Sequence, residues 1–222
     1  MKIAVGAHVG EALPPPIYFN HCSVIAKWAK KYDLTMIGTW RQKVASARNT
    51  IVDAAIKAGC NNLLLIDSDH LLPDDLLDCL VENADVAIVS GLICKRYFPF
   101  ETVAFKYTDD GEIHQCIVGA RGKVIEVDAC AMGCTLINLD ILKKLFEDRK
   151  LNKPFFYDAH FRSDMNFCMN LRKLGERVLL DTRVDIGHLG DPPVITPSNA
   201  QGARERYLVE CHIEEADDES SD

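Results

Sequence analysis

The sequence has 222 residues, of which 48% are hydrophobic, and its formal net charge is −8 at pH 7. This length and hydrophobic content are sufficient for one domain with a single large core. No segment approaches the roughly 20 consecutive apolar residues that a membrane-spanning helix needs, and the N-terminus does not have the pattern of a signal peptide. The negative charge also argues against a general nucleic-acid surface, which requires clustered Lys and Arg.

The cysteine content and the acidic C-terminus indicate where the protein resides and where its core ends. Nine cysteines without a repeated C-x-x-C pattern are typical of reduced thiols, so we expect a soluble, cytoplasmic protein. Residues 214–222 carry six acidic side chains and no apolar side chain larger than alanine. Such a segment cannot contribute to a core, so we predict one domain over residues 1–212 and a disordered acidic tail over 213–222.

The first half of the sequence predicts strands that alternate with helices. Apolar residues at helical spacing predict helices over 18–32, 45–58 and 73–81, and apolar runs predict strands over 3–7, 34–39, 63–66 and 85–90. Gly59 is expected to end the second helix. The run over residues 63–66 has no alternation of apolar and polar residues, which is typical of a central parallel strand covered on both faces.

The second half predicts a more antiparallel arrangement. It contains a hairpin of residues 102–107 and 113–118 around a turn at 109–111, a strand over 123–128, a helix over 163–174 capped by Ser163, and strands over 177–180 and 184–186. Together the two halves predict an α/β fold with a Rossmann-like, mostly parallel sheet flanked by helices and an antiparallel C-terminal half.

An acidic turn, Asp67-Ser68-Asp69, directly follows the buried strand. Ligands of open α/β sheets usually bind at the carboxyl ends of the strands, where both aspartates are placed. Mg²⁺ or Mn²⁺ is typically held by one or two carboxylates, while substrate phosphates and waters fill the other positions. The turn therefore indicates a cation that binds a diphosphate, although the same aspartates also suit a structural role as caps of the following loop.

Four segments in matching order resemble the nucleotide-sugar glycosyltransferases of the GT-A fold, and small family 2-like members in particular. These segments are Ala47-Arg48-Asn49 at the start of residues 47–53, the strand and acidic turn of 63–69 with Leu72-Pro73, the glycine-containing segment 127–137, and Ser163-Asp164 followed by Leu174-Gly175 and Asp185-Ile186-Gly187-His188. The resemblance covers most of residues 1–190. It implies a hexosyltransferase-like enzyme that moves a sugar from a nucleoside diphosphate sugar, such as a UDP- or GDP-sugar, to an acceptor hydroxyl.

The resemblance also assigns the cation site. It implies that Asp67, Ser68 and Asp69 bind the cation and the nucleotide diphosphate, and that His188 completes the metal site from a distant strand. Without the resemblance, His188 would be interpreted as a solvated or core histidine. The implied metal is Mn²⁺ or Mg²⁺, bound by Asp67, Asp69 and His188.

Three further residues are implied to act beside the cation, and each has an alternative explanation. Asp164 matches the catalytic base of inverting relatives, but an aspartate there also stabilises the positive end of a helix. Arg48 is implied to bind a phosphate or carboxylate, although an arginine on an amphipathic helix is usually solvated. Gly133 is implied to let the backbone approach the sugar or acceptor, and it would equally suit a simple bulge.

The first strand departs from the family pattern. Many relatives have a proline-tyrosine-asparagine type loop that grips the base, whereas Ala7 and His8 stand here. By position these two residues would line the base pocket, and they do not distinguish uridine from guanosine. Lys95 and Arg96 follow a strand and would either meet an anionic substrate or form a surface charge pair.

Two other functions remain open at this point. A nucleotidyltransferase also holds Mg²⁺ with acidic turns, but residues 6–10 lack the basic residue of a phosphate-binding loop. A non-catalytic binding or scaffold protein with the same fold is the second alternative. The acceptor of a glycosyltransferase would be a saccharide, a small molecule, a protein or a modified nucleic-acid base.

Overall fold

The computed structural model describes residues 1–107, 113–115, 121–148, 150–157, 162–190 and 194–205, and only the backbone of 113–115. The acidic tail predicted over residues 213–222 and the turn predicted at 109–111 lie outside these ranges. In chain order the strands are β1 (Lys2–Val9), β2 (Asp33–Trp40), β3 (Asn62–Asp67), β4 (His70–Leu71), β5 (Ile88–Gly91), β6 (Ala104–Tyr107), β7 (Ile113–Gln115), β8 (Val124–Val127), β9 (Ala129–Cys130), β10 (Cys134–Asn138), β11 (Val178–Asp181), β12 (Gly187–Leu189) and β13 (Val194–Ile195). The helices are α1 (Pro15–Trp28), α2 (Val44–Lys57), α3 (Leu76–Val81), α4 (Leu139–Glu147) and α5 (Ser163–Lys173).

A seven-stranded central sheet has the order β2-β1-β3-β10-β5-β11-β8. Strands β2, β1, β3, β5 and β11 point in one direction, while β10 and β8 run antiparallel to their neighbours. The prediction of an α/β fold with a mostly parallel sheet flanked by helices is therefore confirmed. Two small antiparallel sheets, β13-β12-β4 and β7-β6-β9, accompany the central sheet.

Strand β3 is buried on both faces, as its uninterrupted apolar run predicts. Leu63 and Leu65 pack with the buried side chains of α2, α4 and α5, whereas Leu64 and Ile66 pack with those of α1 and α3. The helices therefore cover both faces of the sheet. Strand β2 lies on one side of β1 and β3 on the other. In open α/β sheets, ligands usually bind at the carboxyl ends of strands where the strand order reverses in this way.

Several element boundaries differ from the sequence predictions. Helix α3 begins at Leu76 rather than at Pro73, and Ser163 is the first residue of α5 rather than its cap, a position that Arg162 takes without a side-chain hydrogen bond. The predicted strand over 184–186 is wrong, because β12 begins at Gly187. Helix α2 ends at Lys57, and Gly59 follows with a φ of 70°, a conformation that favours glycine.

Within the described ranges, no helix combines the length and the apolar character needed to cross a membrane.

Candidate metal centre and pocket

The acidic turn lies where β3 leaves the sheet. Asp67 is the last residue of β3, and Asp69 directly precedes β4, the strand that carries His70. Strand β4 pairs with β12 in antiparallel register, so that His70 lies directly opposite His188. Side chains of directly opposite residues lie on the same face of a sheet. The small sheet therefore brings together two histidines that are far apart in the sequence.

Asp69, His70 and His188 converge on one point. One potential ligand atom from each side chain lies within 4.8 Å of the others. The two imidazole rings have centroids 4.5 Å apart, and His188 Nε2 lies 3.2 Å from Asp69 Oδ2. The group thus provides two nitrogens and one carboxylate, a donor set that suits a divalent transition metal.

Both imidazoles are oriented by backbone carbonyl groups. His188 Nδ1 lies 2.7 Å from the oxygen of Cys94, and His70 Nδ1 lies 3.3 Å from the oxygen of Gly133. A carbonyl oxygen only accepts, so each Nδ1 carries the proton, and in the neutral ring each Nε2 presents a lone pair. A ring nitrogen held in this way by a carbonyl group is the usual arrangement behind a metal-binding histidine.

The two Nε2 atoms show that these residues fit a cation. His70 Nε2 is buried and has no hydrogen-bond partner within the part of the chain that the structure describes. His188 Nε2 faces a carboxylate oxygen, and two acceptors at that distance require a proton or a cation between them. A divalent metal would satisfy all three atoms at once.

The charge states of Asp69 and His70 also match a metal site. Burial alone would raise the pKa of Asp69, but the hydrogen bond from His188 and the charges of His70, His188 and Arg96 lower it to about 2. Burial lowers the pKa of His70 below its ordinary value of 6.5, and the nearby charge of Asp67 opposes this only in part. An ionised carboxylate with a neutral imidazole is the combination that binds a metal.

Asp67 forms an ion pair with Arg48 and lines the same pocket as Asp69, His70 and His188, so the metal role predicted for it stays a prediction. Arg48 Nη2 lies 3.2 Å from both carboxylate oxygens of Asp67, and Arg48 Nη1 lies 2.6 Å from Asp164 Oδ1. Arg48 is only 3% exposed. Burial acts to lower its pKa, but the charges and hydrogen bonds of Asp67 and Asp164 outweigh burial and raise it. Arg48 is therefore a buried cation that fixes two carboxylates, not the solvated arginine of an amphipathic helix.

Gly133 allows Asp67 and His70 to pack closely. A Cβ atom at Gly133 would lie 2.3 Å from His70 Cε1 and 2.8 Å from Asp67 Oδ2. Its carbonyl oxygen accepts from the backbone N–H of Asp67 at 2.9 Å as well as from His70. Gly133 thus makes room for His70 and Asp67, and the approach to a sugar or acceptor predicted for it stays a prediction.

A pocket of about 510 Å³ is lined by Asp69, His70 and His188. Its lining includes the acidic residues Asp67, Asp69 and Asp164, the basic residues Lys95, Arg96 and Arg162, and the apolar residues Val103, Phe105 and Met165. A second cavity of about 530 Å³, between residues 150–156 and the end of α5, lies apart from these side chains. The first pocket is the functional candidate, because the buried histidine and the ion pairs border it.

Ala7, His8 and Ser68 lie beside this pocket and are not among its described lining residues. His8 pairs with Asp67 across β1 and β3, and its Nδ1 lies 3.2 Å from the hydroxyl of Thr39. Ala7 packs against the core on the α1 side of the sheet. The base pocket predicted at Ala7 and His8 therefore stays a prediction about the neighbouring end of the sheet.

Comparisons with known proteins add a likeness of fold. Neither the models of known protein families nor the curated proteins match the sequence. Among solved structures, A197 from STIV is similar with a TM-score of 0.60 and 17% sequence identity, covering 89% of this chain and 91% of that chain. A likeness at this identity concerns the fold and assigns no activity.

Acidification below the unfolded histidine pKa of about 6.5 is expected to destabilise the metal-free chain. Burial lowers the pKa values of His21 and His70 below 6.5, and the two are linked because His21 Nε2 donates to the oxygen of His70 at 2.9 Å. The unfolded chain therefore takes up protons that the folded chain refuses, so stability is complete above the unfolded pKa and falls below it. Each histidine contributes a slope of at most about 1.4 kcal/mol per pH unit.

Urea unfolding at several pH values in EDTA measures this slope. The His21→Gln variant should show a smaller pH dependence of the free energy of unfolding, because only His70 of the two buried histidines then contributes. If the free energy of unfolding does not change as the pH falls through about 6.5, the folded chain binds as many protons as the unfolded chain, and the prediction is wrong.

Proposed function

We propose that the chain is a metal-dependent glycosyltransferase of the GT-A fold, which transfers a sugar from a nucleoside diphosphate sugar to an acceptor hydroxyl. The proposal depends on one observation: the buried Nε2 of His70 has no hydrogen-bond partner in the described ranges and lies together with ligand atoms of Asp69 and His188 in the lining of a pocket where β3 ends. This position is where α/β sheets usually bind their ligands.

The donor atoms favour Mn²⁺ over Mg²⁺. Magnesium is usually bound through oxygen ligands in near-ideal octahedral geometry, whereas imidazole nitrogens suit transition metals. Asp69, His70 and His188 would hold the ion. When bound, it would neutralise the charge that develops on the departing diphosphate.

The residues of the chain would orient the acceptor. Arg48 fixes Asp164 at the rim of the pocket, and Ser163 Oγ donates to the same carboxylate oxygen, Oδ1, at 3.1 Å. The other oxygen, Oδ2, would take the proton of the acceptor hydroxyl as the hydroxyl attacks the anomeric carbon. In this role Asp164 gives inversion of anomeric configuration.

A panel of nucleotides tests the proposal. UDP-, GDP- and dTDP-sugars, each with and without Mn²⁺, are added to the full chain, and thermal unfolding is followed. A ligand that binds only the folded state raises the melting temperature. The nucleotide sugars of one base should therefore raise the melting temperature of the chain, and only when Mn²⁺ is present. Incubation of that donor should release the nucleoside diphosphate.

The alternatives predict different results. A nucleotidyltransferase would use a nucleoside triphosphate with a sugar phosphate and release pyrophosphate. A non-catalytic binding protein would show the shift without release of nucleoside diphosphate, even with an acceptor library. Absence of any Mn²⁺-dependent shift across the panel would refute the proposed function.

A further inference from the structure

A hairpin of residues 94–102 forms one wall of the pocket. Cys94 and Thr102 form an antiparallel bridge, and the backbone N–H of Lys95 donates to the oxygen of Glu101 at 2.7 Å. The base of this hairpin orients the metal centre, because the Cys94 oxygen accepts from His188. The hairpin also carries two cations, Lys95 and Arg96, into the lining of the pocket.

The two cations have different partners. Lys95 Nζ is neutralised within the hairpin by Glu101 at 2.6 Å. Arg96 Nη1 instead reaches across the pocket to Asp69 Oδ2 at 3.1 Å, with 54% of its side chain exposed. The backbone of Arg96 packs closely against that of Gly190, where a Cβ atom would lie only 2.5 Å from the Arg96 oxygen. Arg96 therefore has a closely packed backbone and an exposed side chain whose described ion pair is with Asp69.

Arg96 and the metal would use the same carboxylate oxygen. Asp69 Oδ2 is already shared between Arg96 Nη1 and His188 Nε2. A divalent cation bound to that oxygen would repel the guanidinium and compete with it. The exposed side chain would then turn toward the anionic part of a ligand held by the same cation.

We propose that Arg96 determines specificity for the diphosphate, leaving Asp69 when the cation binds and pairing with the second phosphoryl group of the donor. This inference rests on the proposed function. A guanidinium presents paired donors that match phosphate oxygens, and a diphosphate offers it a phosphoryl group that a nucleoside monophosphate lacks. Arg96 thus distinguishes nucleoside diphosphates from monophosphates.

Calorimetric titration of the full chain tests this role through two effects of opposite sign. Arg96→Ala should bind Mn²⁺ about two- to fivefold more tightly, because an exposed ion pair that competes for Asp69 is removed. With Mn²⁺ saturating, the same variant should bind UDP or GDP at least about tenfold more weakly. Binding of UMP or GMP should change by less than about threefold, since these ligands lack the second phosphoryl group.

Control variants make the result specific. Arg177→Ala removes an exposed arginine that pairs with Glu126 at 3.0 Å away from the pocket lining, and it should leave all affinities unchanged. Arg96→Lys should recover part of the diphosphate affinity, and Arg96→Gln serves if the alanine variant does not fold. Weaker binding of both Mn²⁺ and nucleotide would mean a merely structural role, and unchanged diphosphate binding would overturn the proposal. A wild-type chain that binds neither Mn²⁺ nor nucleotide would instead reject the function itself.

Discussion

A chain with His70→Gln is expected to bind Mn²⁺ at least about a hundredfold more weakly than the wild type, because the loss of a ligand should exceed the 10- to 100-fold effect of losing the group behind it. The substitution removes the His70 Nε2 atom, which is buried and has no hydrogen-bond partner among the described residues. Glutamine is close in volume to histidine, which limits the cavity that an alanine would leave. Titration with Mn²⁺, followed by calorimetry or by the electron paramagnetic resonance of the ion, measures the loss.

Asp67→Asn is the matched control for this prediction. Asp67 lines the same pocket as Asp69, His70 and His188, but it accepts both of its described side-chain hydrogen bonds from Arg48. Mn²⁺ affinity should therefore change far less than in His70→Gln. If instead Asp67→Asn abolishes Mn²⁺ binding and His70→Gln retains it, the ligands are Asp67, Asp69 and His188, as predicted from the sequence. The set that contains His70 in place of Asp67 would then be wrong.

The double substitution Asp67→Asn and Asp164→Asn is expected to lower the free energy of unfolding by about 3 kcal/mol or more, because it leaves a buried charge without its counterions. The side chain of Arg48 is 4% exposed, whereas those of Asp67 and Asp164 are 34% and 29% exposed. Water thus cannot replace the carboxylates around the guanidinium. Urea unfolding of the metal-free proteins measures the difference.

The triple variant that adds Arg48→Met serves as the control. Removal of all three charges eliminates the unpaired cation, so most of the lost stability should return. If the triple variant is as unstable as the double one, the cost arises from other contacts of the two carboxylates, and Arg48 is not the buried charge that they compensate.

The buried strand and the acidic turn were predictable from local sequence. An apolar run without alternation indicates a strand covered on both faces, and leads to the correct place for Asp67 and Asp69. Helix α4 was missed although its pattern is local: Leu139, Leu142 and Leu145 are buried at helical spacing after an Asn138 cap.

The proposed metal ligand His70 was not predictable in the same way. Strand β4 has two residues, too few for any periodicity, and its pairing with β12 is a long-range event. The misplaced strand at 184–186 has the same origin, because Val184 and Ile186 are buried in the core without belonging to a strand. The local sequence indicates only that His70 directly follows Asp69. The register of β4 with β12, which places His70 opposite His188, is what makes His70 a candidate ligand.

The register between β4 and β12 also has a consequence for biosynthesis. Asp69 and His188 are 119 residues apart, and the ring of His188 is held by the carbonyl group of a third segment at Cys94. A nascent chain that has exposed only its first parallel strands offers a cation one carboxylate and one imidazole. In the proposed site, tight binding of the ion would therefore wait until His188 has been translated and has folded against β4, which would make metal uptake a marker of completed assembly.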